Sequence, residues 1–191
     1  MKITIISVGK LKEAYLVEGI KEYTKRLSKY TQIEEIVLPD EPIRDKTSDS
    51  LNLQIKEKEG SRIIEAINPK SYVIVLDLKG KMLSSEDLAS KMLEIQTYNS
   101  SHITFVIGGS LGLSDDVIAT SNFRLCFSKM TFPHQLMKLI LVEQIYRAFK
   151  INNNETYHKW LVSFFVLKLK NIFFYILLQK KIKRVTMNLM I

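Results

Sequence analysis

The sequence predicts an α/β fold, a mainly parallel sheet with helices on both faces. Two continuous apolar runs, Tyr72–Leu76 (Y-V-I-V-L) and Ile103–Ile107 (I-T-F-V-I), carry that prediction, because strands covered on both faces lose the polar alternation of half-exposed ones. Segments with helical periodicity lie between the strand-like runs, which is the order that parallel crossover connections need. At 191 residues and 46% apolar, the chain is long enough for one domain with a substantial core.

The elements follow in order. Lys2–Val8 is rich in Ile and Val and reads as a buried strand. A helical pattern runs from Glu13 to Ser28, with Tyr15, Ile20, Tyr23 and Leu27 on one side. Ile33–Leu38 is a second strand, stopped by Pro39-Asp40-Glu41-Pro42, and the polar stretch Arg44–Ser50 reads as a mobile loop. A long charged helix then continues to about Ile67, where Asn68-Pro69 ends it. Ser84 is placed to cap the next helix, with Asp87 three residues on, and Ser114-Asp115-Asp116 opens a short one. Phe123–Phe127 is the last strand. Pro133 fits the first turn of a helix over Pro133–Lys150, where its missing N–H leaves no bond unmade. That helix carries Leu136, Met137, Leu139, Ile140, Leu141, Val142, Ile145, Tyr146 and Phe149, so it is either buried all round or packed against a second subunit.

Composition narrows the setting. One cysteine, Cys126, cannot form an internal disulfide, and inside a strand it reads as buried and inert. The apolar run after Met1 is too short for a secretory signal, so a cytoplasmic protein is expected. The net charge of +8 is unevenly spread. Residues 160–191 hold six Lys or Arg and no acid, which leaves 22 basic against 20 acidic residues in 1–159. Net charge is therefore a weak argument for nucleic-acid binding by the main domain. No cluster has metal-ligand spacing, and no metal is expected.

Familiar nucleotide loops are missing. None of the seven glycines completes G-x-G-x-x-G after a strand, because Ile107 stands where the first glycine would be, and there is no Walker A loop. Gly108-Gly109-Ser110-Leu111-Gly112 does match G-x-S-x-G, the nucleophile elbow of serine hydrolases. That fold needs an acid and then a histidine after its serine. Beyond Asp116 only Glu143 and Glu155 remain as acids, one inside the apolar helix and one three residues before His158. Adjacent glycines more often mark a turn where backbone approaches a ligand, and the match to Ser110 reads as coincidental.

Three segments together closely resemble the bacterial RlmH family. They are I-G-G-S-L-G-L at 107–113, F-S-K-M-T-F-P-H-Q-L-M-K-L-I-L-V-E-Q-I-Y-R-A-F at 127–149, and Y-H-K at 157–159. The family consists of SPOUT-class methyltransferases acting on a pseudouridine of 23S rRNA, and the resemblance runs from Met1 to Lys159. It implies a C-terminal trefoil knot, which no periodicity could reveal, and a homodimer with the Pro133–Lys150 helix at its interface. It implies S-adenosylmethionine as methyl donor, held by Leu76, Gly108, Phe127, Ser128, Lys129, Met130, Thr131 and Phe132. It also implies that Arg147, Tyr157, His158 and Lys159 lie near the target base, in rRNA of the assembled ribosome. Among these His158 is the candidate proton acceptor, since an imidazole titrates near pH ~6.5. Arg147 or Lys159 would hold phosphate or a developing anion, and Tyr157 would stack on or bond the base. His134 reads as a helix-start or pocket-lining group and His102 as structural. Lys10, Lys12, Lys79 and Lys81 are candidate phosphate contacts that read equally as solvated lysines.

The resemblance divides the chain into a methyltransferase domain, 1–159, and a basic apolar extension, 160–191. The extension's apolar runs, Trp160–Leu167 and Ile172–Leu178, fall short of the ~20 residues a membrane span needs, so membrane contact is not expected. Translation past a lost stop codon would give such a composition. Since the extension follows Lys159 directly, the alternative to an active enzyme is a catalytically blocked ribosome-binding protein of the same fold.

Overall fold

The computed structural model describes residues 1–42 and 48–157. Residues 1–153 form one compact unit, and 154–157 belong to a second. The elements are β1 (Lys2–Val8), α1 (Ala14–Leu27), β2 (Gln32–Leu38), α2 (Asp49–Ala66), β3 (Tyr72–Met82), α3 (Ser85–Tyr98), β4 (His102–Ile107), α4 (Asp115–Ala119), β5 (Phe123–Cys126) and α5 (His134–Asn152).

Five strands make one sheet in the order β2-β1-β4-β3-β5, every neighbouring pair parallel. Successive strand residues face opposite sides, so β1 supplies both cores. Its Ile6 and Val8 join Val73, Val75 and Val106 under Ile63 of α2 and Val117 of α4. Its Ile3 and Ile5, equally inaccessible, face the other layer, where α5 packs against both α1 and α3. The α/β class with helices on both faces is thus as the sequence predicts. Strand order alone does not define a knot, which depends on threading.

Local chemistry explains most boundaries. Ser84 accepts the Asp87 N–H at 3.0 Å while Asp87 returns a bond to the Ser84 N–H at 3.2 Å, a reciprocal cap on α3. Ser114 caps α4 by accepting the Val117 N–H. Several expectations need correction. Leu16, not Tyr15, turns inward on α1, and Tyr15 is 67% exposed. Pro133 is the N-cap of α5 rather than a first-turn residue, with φ −55° and ψ 135°. Of the expected loop Arg44–Ser50, residues 44–47 lie outside the described residues, whereas Ser48 caps α2 and Asp49 and Ser50 are already helical.

The largest departure is β3, which runs six residues past Leu76. Its second half pairs with β5 after a register shift between Leu76 and Lys81. Gly80 permits this approach, since a Cβ there would lie 2.7 Å from the Arg124 backbone carbonyl. His102 opens β4 rather than preceding it. Its imidazole bonds Thr4 at 2.8 Å, and burial, with Lys2 nearby, holds its pKa below the ordinary value.

No position of α5 is exposed in the single chain. Tyr30 stacks on Phe149 at 5.7 Å between ring centres, and Tyr23 and Tyr30 both tilt against Tyr146. On this helix Leu141, Val142, Ile145, Ala148 and Phe149 are buried within the single chain, while Leu136, Met137, Leu139 and Ile140 are half-buried. Its one buried cation is Lys138, 2% exposed, whose Nζ sits 2.7 Å from Glu35 Oε2 on β2.

Removing the carboxylate should hurt more than removing the cation, because it strands a charge inside the protein. Glu35→Ala is expected to lower the free energy of urea unfolding by about 3 kcal/mol, and Lys138→Met by clearly less. The reverse ranking in urea titrations would sink this account of the pair.

Candidate active site

Because β4, β3 and β5 are adjacent and parallel, their C-terminal ends meet at one edge of the sheet. The chain leaves them through three connections that cannot all cover the edge. A cleft of about 780 Å³ opens there, the arrangement in which parallel α/β sheets bind ligands. One wall is Leu76–Leu78, a second is Ile107–Leu113, and a third is Leu125–Ser128 with Met130–His134. Met137, one turn into α5, completes the lining.

The glycine turn is compact for identifiable reasons. Gly112 adopts φ +82° and donates its N–H to the Gly109 carbonyl at 3.1 Å. A Cβ on Gly108 would lie 2.9 Å from the Gly112 carbonyl carbon, so a side chain there would break the turn. In the third wall the Cys126 thiol donates to the Ser128 carbonyl at 3.1 Å, and Ser128 Oγ accepts the Met130 N–H at 3.0 Å. His134 crosses toward the β1 exit, where its Nε2 would lie 3.3 Å from a Cβ on Gly9. Lys12 donates its backbone N–H to Gln135 Oε1 at 3.0 Å, tying that exit to the start of α5. The lysine side chain is exposed.

Seven of the eight residues expected to hold the donor line this cleft: Leu76, Gly108, Phe127, Ser128, Met130, Thr131 and Phe132. Lys129 does not line it and is exposed on the same turn. Ser110 is an exposed residue of the cleft wall. Arg147 lies outside the lining, with a side chain 15% exposed and bonded to Glu143 at 2.5 Å on its own helix. Glu143 also accepts from Gln144 at 2.7 Å, and Gln144 in turn accepts from Ser85 on α3. Tyr157 belongs to the second unit, where its N–H donates to the Glu155 carbonyl at 2.8 Å. His158 and Lys159 fall outside the described residues.

Sequence reasoning missed two features. Asp77, at the rim, accepts from Arg124 Nε at 2.7 Å and pins β3 to β5 beside the cleft. Glu59, on α2, is 4% exposed and lies against the glycine turn. It is hidden in the charged stretch K-E-K-E, and the available signal is the following Gly60, since a glycine inside a helical pattern marks close packing. Among the described residues, no group of three His, Cys, Asp or Glu is placed to hold a metal ion, and no helix is long and apolar enough to cross a membrane.

A family profile described as "Predicted SPOUT methyltransferase" matches residues 1–158. The chain belongs to the SPOUT methyltransferase family. Curated relatives agree along the same length. A protein of Exiguobacterium sp. named "Ribosomal RNA large subunit methyltransferase H" is 56% identical over 159 residues, covering 83% of this chain and all of the relative. A protein of the same name from Clostridium botulinum is 55% identical with the same coverage. A solved structure of a probable methylase family protein from Haemophilus influenzae aligns at 14% identity and a TM-score of 0.46, over 82% of this chain and 69% of that one. Family membership displaces the serine-hydrolase alternative for Ser110.

Glu59 gives this site a pH dependence. Burial pushes its carboxyl above the usual carboxylate range, against the bond from the Glu41 N–H, and neighbouring Asp40 and Glu41 add to the rise. The folded state then keeps a proton that the unfolded state releases above pH ~4.3, so stability falls as pH rises from there through the folded value. Glu59→Gln is expected to melt at higher temperature than the parent at pH 7, with the gap closing near pH 4. A gap that is constant across this range in thermal melts would refute the assignment.

Proposed function

We propose that this chain transfers a methyl group from S-adenosylmethionine to N3 of a pseudouridine in 23S rRNA. On this reading it acts on the assembled ribosome, as a cytoplasmic homodimer with the knotted C-terminal segment that the resemblance implies. The convergence of seven family-matched residues on one strand-end cleft carries the reading. Relatives that match this chain over their whole length bear the name of a large-subunit rRNA methyltransferase, which supports the substrate class.

The residues suit the task physically. Leu76, Met130 and Phe132 offer apolar surface to a purine ring, and backbone amides in the 108–112 and 127–132 turns can bond its edge without special side chains. The donor, when bound, supplies an electrophilic methyl on a sulfonium centre. A pseudouridine N3 is a weak nucleophile while protonated, so the chain must remove that proton and support the resulting anion. His158 is assigned the proton, Arg147 and Lys159 the negative charge, and Tyr157 the face or edge of the base. Met130, 70% exposed at the mouth, extends apolar surface toward the arriving substrate.

Labelled methyl transfer to ribosomes lacking the modification tests this, with the full chain run beside a version truncated after Lys159. Incorporation by both supports the enzyme reading and makes 160–191 a tolerated appendage. Incorporation only after truncation identifies a blocked family member. Folded protein that transfers nothing in either form overturns the proposal. In whichever form is active, His158→Ala is expected to reduce the rate by about 10²-fold or more.

A further inference from the structure

Among the described residues, Glu59 is the most deeply buried carboxylate, and the proposed chemistry does not use it. Its two oxygens serve different neighbours. Oε1 accepts the Glu41 N–H at 3.0 Å, in the segment that leaves β2. Oε2 faces the glycine turn so closely that a Cβ on Gly109 would lie 2.7 Å away. Glu41 cannot exchange roles with it, because Lys58 at 2.9 Å and Arg62 at 2.5 Å hold that carboxylate at the surface of α2. The next residue, Gly60, is pressed against the far end of the same turn, where a Cβ would meet Ser114 Oγ at 2.1 Å. Two successive positions of α2 therefore grip both ends of 108–114, the segment that forms the second wall of the cleft.

A leucine or methionine would fill this volume more cheaply than a carboxyl, since burying a polar group is unfavourable unless it is bonded. What a carboxyl adds is an acceptor for the Glu41 N–H on one side and close packing against Gly109 on the other. We propose that Glu59 is a positioning residue for the methyl donor: by accepting the Glu41 N–H through Oε1 while Oε2 packs against Gly109, it fixes the 108–112 turn in the shape that accepts S-adenosylmethionine. It touches neither donor nor target, and its effect passes through Gly108 and Gly109. The inference rests on the donor site proposed above.

Gln has the same reach, with an oxygen to accept from Glu41 and an amide to face the turn, whereas Ala supplies neither. Isothermal titration of S-adenosylmethionine into the full chain separates the possibilities. Binding by the wild type tests the donor site itself, and its absence both from the full chain and from the version truncated after Lys159 overturns both that reading and this one. Given wild-type binding, Glu59→Ala is expected to weaken the donor on the order of tenfold, the effect of leaving buried polar groups unpaired. Glu59→Gln is expected to restore most of that. In steady-state transfer assays the loss in Glu59→Ala should appear in KM for the donor, with kcat little changed.

Unchanged affinity in folded Glu59→Ala, or equal loss in Glu59→Ala and Glu59→Gln, overturns the proposal. Should Glu59→Ala fail to fold, Gly109→Ala serves instead, since its methyl would push directly on Oε2. Its loss of affinity is expected to be partly relieved when Glu59 is shortened by Glu59→Ser in the same background. Strictly additive effects of the two sites would overturn the coupling.

Discussion

A single buried ammonium sets the geometry of the last helix. Lys138 is nearly inaccessible, and its carboxylate partner sits on β2, at the far edge of the sheet from β5. A charge removed from water must keep its partner, so α5 cannot rotate or slide without separating the pair. Fixing Lys138 fixes its helical neighbours. Leu141, Val142 and Ile145 go into the core, while His134 and Met137, a turn or less back, are brought to the cleft. The polar contact thus decides which face of an almost uniformly apolar helix meets the sheet, a choice that hydrophobicity alone would leave nearly degenerate.

The cleft depends on parallel topology in the same way. Three neighbouring strands end at one edge only because each is entered from the opposite end. The walls are then backbone turns whose shape is set by what cannot be there. Side chains at Gly108, Gly109 or Gly80 would each collide with backbone or with a buried carboxyl. Such a site recognises a ligand through amide geometry and apolar surface, and it therefore needs few charged residues.

What the sequence disclosed follows the same physics. Lys2–Val8 was legible as a strand because both its faces are buried, and α3 because Ser84 and Asp87 announce its start. The second half of β3 was not, since Asp77–Met82 is polar and largely solvated and is held by pairing with β5 rather than by its own pattern. Leu16 and Tyr15 are adjacent and both apolar enough to point inward, so only packing against α5 distinguishes them. Glu59 was invisible for a related reason. A carboxylate in a charged helix reads as solvated, and its burial arises from a turn some fifty residues away in sequence. The cleft residues were legible through motifs carried by resemblance, while the forces shaping the cleft were not.

Donor and acceptor sides of the proposed site consequently have different physical origins. The donor side is built from turns anchored by strands, by α2 through Glu59 and Gly60, and by α5 through Lys138. On the proposed reading the acceptor side would draw on Arg147, held on α5 by Glu143, which also accepts from Gln144, itself bonded to Ser85, and on Tyr157, His158 and Lys159, which precede the extension in sequence. A perturbation arriving through the extension acts by covalent proximity on the acceptor residues first. On the proposed reading, donor affinity and methyl transfer would therefore be separable. If the extension is inhibitory, it should suppress transfer while leaving S-adenosylmethionine binding close to that of the truncated protein. A matched loss of both would instead mean that the extension reaches the strand-end cleft itself.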